Sequence, residues 1–293
     1  MLNFTHNFSE MFKIIRTIMS IRSLFIGIIL SLIVIIIIIF GPIIYNVDPI
    51  NLDSKNILIP PFTSIDHIFG TDHLGRDIFA RLIHGGKVTL FIAWSSALGG
   101  ALVGTIFGIV SGFYGKFVDN IIMRLIESIM TFPFIIIALL LASLFVPGVT
   151  TLIIVFIIVG SPVFAKVIRG VTIAIKNEEY ILAARSLGSN DFRIMFFHLL
   201  PNIFPQILII TTLQISRIIF AEAGLSFIGV GVQPPYPSWG SMLADGRTYM
   251  AVSWWLPFLP GLALVLTILG ANFLGDGLQE LLDPKRKSKI IIN

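Results

Sequence analysis

The stretch EEYILAARSLGSNDFRIMFFHLLPN, residues 178–202, interrupts a chain that is otherwise rich in Ile, Leu, Phe and Val. Residues 178–187 have the composition of a short helix, and Gly188 stands where a residue in the left-handed conformation would end it. Asn190 and its neighbours offer N-cap side chains for a second helix, and Pro201 disfavours its continuation. The stretch therefore predicts a helix, a glycine corner and a second helix. An ordinary solvated loop is the alternative.

The composition places this corner in a membrane protein. Of the 293 residues, 56% are hydrophobic and only 12% are charged, whereas soluble domains average about 25% charged residues. The uncharged runs reach the ~20 residues that a membrane helix needs. We predict an all-α polytopic fold with six transmembrane helices, near 24–45, 89–112, 122–146, 150–170, 203–229 and 254–275. They form one membrane domain, 24–283, between an N-terminal segment, 1–23, and a basic tail, 284–293.

The distribution of Lys and Arg predicts the orientation. With six spans, the side that holds both termini and the corner carries fourteen of the twenty Lys and Arg residues, the other side carries five, and Arg217 lies within a span. The positive-inside rule then makes both termini cytoplasmic. We find no convincing cleavable signal and expect the first helix to stay in the membrane. The basic residues are not gathered into one patch interspersed with aromatic residues, which argues against nucleic-acid binding.

The corner carries a motif. "LAARSLG" and, ten positions after Gly188, "HLLP" resemble the EAA loop of permease subunits in binding-protein-dependent ABC importers, whose pattern is EAA, three residues, Gly, nine residues, I-x-L-P. The matching residues are Ala183, Ala184, Gly188, Leu200 and Pro201. Leu182 and His198 depart from the pattern. Glu179 and Tyr180, just before the alanine pair, are similar to the peptide and nickel branch, in which such departures are usual.

Three further stretches are similar to the same branch: FGTDHLGRDIFARLIHG at 69–85, AEAGLSFIGVGVQPPYPSWGSMLADGR at 221–247 and NFLGDGLQELLDP at 272–284. The chain thus resembles the C-type permease subunit of dipeptide, oligopeptide and nickel importers in the bacterial cell membrane. The resemblance implies the type I ABC importer permease fold. It also implies a related second permease, two cytoplasmic ABC ATPase subunits and an extracellular or periplasmic substrate-binding protein.

The resemblance also assigns a coupling role to the corner, as a helix that inserts into a groove of the ATPase. The residues it designates are Glu179, Tyr180, Ala183, Ala184, Arg185, Gly188, Leu200 and Pro201. We expect no cofactor and no enzymatic activity in this chain, because neither Gly86-Lys87 nor Gly115-Lys116 fits the phosphate-binding pattern G-x-x-x-x-G-K-[ST]. ATP and Mg²⁺ would be bound by the ATPase subunits.

Several residues inside the spans are unusual. Gly100, Gly104, Gly108 and Gly112 recur every fourth residue, and such a face lets two membrane helices approach closely. We favour a contact within this chain over one with the second permease. Arg124 and Glu127 share a helix face and could pair. Arg217 and Glu222 lie about 140° apart on a helix, so we do not expect them to pair with each other. One or both should face a cavity or another helix, or Glu222 pairs with a basic residue. Arg217, Glu222 and Ser226 are candidates for the translocation path or the outer gate.

Other functions fit the residues less well. The His and Asp residues of 66–84 could suggest a metal site, but Asp and Gly recur there as turn formers, and we predict no metal. An intramembrane hydrolase is a distant alternative, because Ser226 lies in a G-x-S-x-G pattern that fails at Ile228. No sequence resembles the selectivity filter of a channel. We favour short peptides as the substrate, with nickel or a metal chelate (metallophore) as the alternative.

Overall fold

The computed structural model describes residues 19–282, and these residues are almost entirely helical within the spans that hydropathy predicts. The helices are α1 (Arg22–Ile44), α2 (Ile78–Tyr114), α3 (Lys116–Met130), α4 (Phe134–Ser143), α5 (Val149–Ile175), α6 (Glu179–Ser186), α7 (Asp191–Phe227), α8 (Trp239–Arg247) and α9 (Trp255–Leu282). Five of them, α1, α2, α5, α7 and α9, are each long and apolar enough to cross a membrane. The predicted tail, 284–293, and most of the predicted N-terminal segment lie outside the described residues.

Close approaches at glycines define the direction of each helix. Gly277 of α9 meets Leu24 near the start of α1, so these two helices are antiparallel. Gly100 of α2 lies beside Ser161 of α5 and Gly112 beside Thr172, so α2 and α5 run in parallel. We call the end of the bundle that holds α6 and the start of α1 the α6 end, and the opposite end the α8 end. The described termini therefore both lie at the α6 end.

The predicted span 122–146 is broken in the structure. Its two halves, α3 and α4, are bent by 89° at the break between Met130 and Phe134. Pro133 supplies the reason, because proline lacks an N–H and disfavours the helical conformation of the residue before it. Since α2 ends at the α6 end and α5 starts at the α8 end, α3 and α4 together carry the chain back across the bundle. The described residues thus cross it six times.

The helix that was predicted to end at Pro201 instead continues to Phe227. Residues Ile194–Leu199 form a π-helical turn, and the N–H of Leu200 donates to the carbonyl of Met195, five residues back. A π turn contains one more residue than an α-helical turn. The wider turn makes room for a proline ring next to the preceding carbonyls. Pro201 therefore lies at the second position of a regular helical segment, Leu200–Phe227.

The loop of residues 45–77 covers the α8 end and is held by polar side chains. Asp77 caps α2 by accepting from the N–H of Ala80 at 2.8 Å. The same carboxylate accepts from the Tyr45 hydroxyl at 2.8 Å and contacts His67 Nδ1 at 2.9 Å. Burial, together with the Asp77 carboxylate, raises the pKa of Tyr45 well above its usual value. These residues therefore hold the loop on the first turn of α2.

Another carboxylate of this loop, that of Asp72, forms a network with two arginines. Asp72 accepts from Arg76 Nε at 2.6 Å, and Arg81 Nε lies 3.6 Å from the same oxygen. Asp245 of α8 lies 3.6 Å from Arg76 and 3.5 Å from Arg81. Two carboxylates thus balance two guanidinium groups, and the network joins the loop, α2 and α8.

Candidate functional site

The corner predicted from residues 178–202 is present at the α6 end. Gly188 has φ +86°, in the left-handed region that favours glycine. Its N–H donates to the carbonyl of Arg185 at 3.0 Å, and the N–H of Ser189 donates to the carbonyl of Ala184 at 3.1 Å. These are the two bonds of the Schellman motif that closes a helix C-terminus. Asn190 then caps α7 by accepting from the N–H of Arg193 at 2.8 Å.

Only one of the two motif alanines lies on the surface of the corner. Ala183 is exposed, but Ala184 and Ile181 are buried against the rest of the chain, because adjacent helix residues point about 100° apart. The outward apolar side chains are instead Leu182 and Leu187, and Leu187 is 88% exposed. A charged residue substituted at Ala184 would therefore destabilise the packing of this chain itself, whether or not a partner protein is bound.

The remaining motif residues lie around this corner. Glu179, Tyr180 and Pro201 are exposed, and Leu200 is half-buried. The Arg185 guanidinium lies 5.3 Å from the centre of the Phe113 ring, at the end of α2. The corner therefore contacts α2 directly through Arg185.

Polar contacts join the end of α5, just before the corner, to α2 and α3. Arg169 of α5 donates to both oxygens of Asp119 of α3, through Nε and Nη2. Lys176 Nζ, one residue beyond α5, donates to the carbonyl of Gly112 in α2 at 2.7 Å. Within the described residues no ion pair joins Arg124 to Glu127, so that expectation is wrong. The pair that forms spans fifty residues of sequence, which no local helical spacing can indicate.

The glycine face of α2 packs on α5 within this chain, as favoured from the sequence. A Cβ atom on Gly104 would collide with the carbonyl oxygen of Ser161, and one on Gly108 would lie 2.8 Å from the carbonyl oxygen of Ala165. Gly112 is similarly close to Thr172, whereas the nearest atom at Gly100 is 3.6 Å away. The two backbones are in contact over the α6 half of the helices, and α2 and α5 form one rigid pair there.

Arg217 and Glu222 face different surroundings, as their angular separation predicts. Arg217 is exposed to a groove of about 580 Å³ between α5, α7 and α9. Its guanidinium lies 5.2 Å from the centre of the Phe134 ring, at the start of α4. A second, smaller space of about 90 Å³ opens on the α3–α4 side of the same side chain.

Glu222 is fully buried and is surrounded by hydroxyl groups. Ser226 and Ser238 donate to its Oε1 at 2.7 and 2.8 Å, and Thr89 lies 3.5 Å from Oε2. Each hydroxyl also accepts a backbone N–H: Ser226 from Val232, Ser238 from Ser241 and Thr89 from Trp239. No basic partner of Glu222 occurs among the described residues. The carboxylate joins α2, α7 and the start of α8.

Sequence reasoning missed Thr89 and Ser238. Ser238 had a detectable signal, since it precedes a short helix and makes a capping box with Ser241. Thr89 had none beyond being a polar residue near the start of an apolar run. Ser226, which was a gate candidate, belongs to this cluster.

Comparison with known proteins identifies the chain's relatives. Residues 104–288 match the family described as the inner membrane component of binding-protein-dependent transport systems. The chain belongs to this family. It is 41% identical to the dipeptide transport system permease protein of Bacillus subtilis, over 80% of this chain and 72% of that protein. It is 38% identical to the oligopeptide transport system permease protein of the same organism, over 89% of this chain and 85% of that protein.

A solved structure has the same fold. A chain of the methionine ABC transporter MetNI, in an inward-facing conformation, superimposes with a TM-score of 0.57 at 17% identity, over 69% of this chain and 96% of that chain. The predicted importer permease fold is thereby confirmed. This family member is a multi-pass membrane transport subunit rather than an enzyme, and its family works with ATPase and substrate-binding partners.

Proposed function

We propose that this permease forms half of the translocation path of an ATP-driven importer of short peptides, and that a related second permease forms the other half. The relatives named above are dipeptide and oligopeptide permeases, which supports peptides over nickel or a metal chelate. ATP and Mg²⁺ bind to two separate cytoplasmic ATPase subunits, and this chain carries no cofactor. A substrate-binding protein delivers the peptide at the α8 end.

The exposed corner is the observation that carries the coupling mechanism. Leu182, Ala183 and Leu187 form an apolar surface on a polar segment that lies between two spans. An apolar surface rimmed by charged residues is typical of a docking site for another protein. We assign the ATPase to this surface, with Glu179, Tyr180 and Arg185 at its rim.

The connections behind the corner give it a way to move the spans. Lys176 binds the end of α2, Arg185 stacks on Phe113, and α5 is held to α2 by the glycine face. A displacement of α6 would therefore move α2 and α5 together. Rotation of such a rigid pair is one of the established routes by which a local event becomes a domain movement.

The proposal fixes the orientation of the chain. Reporter domains inserted after Asn190 or fused after Lys289 should be active in the cytoplasm, and reporters inserted near Asp66 or Gly240 should be active outside. Positively charged loops favour the cytoplasmic side, and Lys289 lies in the basic tail beyond the described residues. Paired cytoplasmic and external reporter enzymes measure each position. External activity after Asn190 would exclude contact between the corner and a cytoplasmic ATPase.

The substrate is tested by uptake in the bacterium that makes the protein. Deletion of the gene should abolish uptake of radiolabelled di- and tripeptides that depends on the cognate binding protein, because half of the path is then absent. Uptake of radioactive nickel, measured in parallel, should stay at the parental level. Loss of nickel uptake with unchanged peptide uptake would contradict the peptide proposal and support the nickel alternative.

A further inference from the structure

Arg217 occupies an unusual depth in the bundle. It lies seventeen residues after Leu200 and ten before Phe227, the bounds of the regular part of α7. At about 1.5 Å per residue, it is roughly 25 Å from the first and 15 Å from the second. A guanidinium at this depth is costly in lipid and is found where it faces a cavity or a partner charge.

No partner charge is present within residues 19–282. Arg217 makes no ion pair or hydrogen bond there, and its guanidinium lies over the face of the Phe134 ring. The carboxylate nearest in sequence, Glu222, accepts from three hydroxyl groups on another side of α7. A guanidinium has five N–H donors and no acceptor, so Arg217 presents unused donors and a positive charge to the groove.

The groove has the composition of a ligand site. Apart from Arg217, its lining is apolar except for Gln214, Ser216 and Asn272. Among residues 19–282, Arg217 is also the only charged residue that lines either of the two spaces beside it. Sites for small ligands are usually apolar clefts of about 300–1,000 Å³ with a few placed polar groups. The accessible volume of about 580 Å³ lies within that range, which is sufficient for a short peptide.

We propose that Arg217 binds the C-terminal carboxylate of the peptide as it passes through this groove. The inference rests on the proposed peptide function and adds the group that is recognised. Charge complementarity carries it: a short peptide has one carboxylate in every sequence, and a guanidinium binds a carboxylate in a bidentate, charge-assisted way. The alternative anion is a carboxylate of the second permease, which would neutralise Arg217 permanently. We favour the peptide because the groove is open and large.

The test compares uptake of one labelled tripeptide with uptake of its C-terminal amide. Arg217→Gln should lower uptake of the free acid about tenfold or more, which corresponds to the loss of a charge-assisted hydrogen bond, and should leave uptake of the amide unchanged. Arg217→Lys keeps the positive charge and should retain most of the acid uptake. The binding protein is the same in every strain, so its own preference cancels when each variant is compared with the parent.

Arg247→Gln is the matched control, because Arg247 is also exposed and stacks on a ring, that of Phe227 at 5.1 Å, but does not line the groove. Its ratio of acid to amide uptake should equal that of the parent. Equal loss of both peptides in Arg217→Gln, at normal membrane abundance, would overturn the inference and indicate a carboxylate of the second permease. Unchanged uptake of both would also overturn it. Failure of the peptide function itself is distinguishable, because the parent would then transport neither peptide.

Discussion

Replacement of Gly104 by leucine is expected to prevent the bundle from assembling. Overpacking of an ordinary core costs ~1–3 kcal/mol, and here the added atoms meet the backbone carbonyl of Ser161 and the backbone nitrogen of Ala165 rather than a flexible side chain. The backbones cannot move apart without losing the whole contact between α2 and α5. We expect little monodisperse protein in detergent and no uptake, measured by size-exclusion chromatography and by peptide transport.

Two variants make this result specific. Gly170→Leu places the same side chain in α5 where no atom lies within 4 Å, and it should retain parental yield. Gly100→Ala adds a Cβ whose nearest neighbour is 3.6 Å away, an ordinary contact that should be tolerated. If Gly104→Leu assembled as well as Gly170→Leu, the close contact between the two helices would be wrong.

The second large effect is expected at the corner. Leu187→Asp should abolish copurification of the ATPase subunits and reduce peptide uptake more than about tenfold. Burial of an unpaired carboxylate in an interface costs several kcal/mol, and 1.4 kcal/mol already corresponds to a factor of ten. Because Leu187 is 88% exposed in this chain, the variant should reach the membrane in normal amounts. Affinity purification of the complex, with uptake measured in the same cells, checks both expectations.

Ile65→Asp is the control for this variant. Ile65 is 95% exposed and lies in the loop at the α8 end, so the same chemical change is made on the other side of the bundle. It should leave the ATPase bound. Retention of the ATPase and of uptake in Leu187→Asp would mean that the corner is a solvated loop. Ala184→Asp cannot replace this test, since Ala184 is buried within the chain and its charge would destabilise the permease itself.

The sequence predicts the parts of the fold that depend on local chemistry. Lipid requires about 20 apolar residues in a row, so the spans are visible as uncharged runs. Gly188 and Asn190 act on neighbouring backbone groups, so the corner is visible as well. The four glycines predict a close helix contact because of their spacing, although the sequence does not identify α5 as the helix they meet.

The remaining features depend on residues that are distant in sequence. The ion pair of Asp119 with Arg169 and the approach of Thr89 to Glu222 are set by helix packing, and no spacing rule relates them. Pro133 and Pro201 show the same limit, because one breaks a helix and the other follows a π turn that accommodates it. The inward direction of Ala184 also depends on the exact rotation of α6. Composition identifies a residue as polar or small, but only the packing shows what it faces.

The contact between α2 and α5 has a mechanical consequence. In the proposed coupling mechanism, because α6 follows α5 after only a few residues, the pair would act as a lever whose short arm is the corner and whose long arm crosses the membrane. The 27 residues of α5 span about 40 Å at 1.5 Å per residue. A turn of about 10° at the corner then sweeps the far end of that arm through about 7 Å, which exceeds the diameter of a peptide backbone. The glycine contact would then be needed to keep α5 straight. A helix that bent at its middle would not carry the movement of the corner to the far side of the membrane.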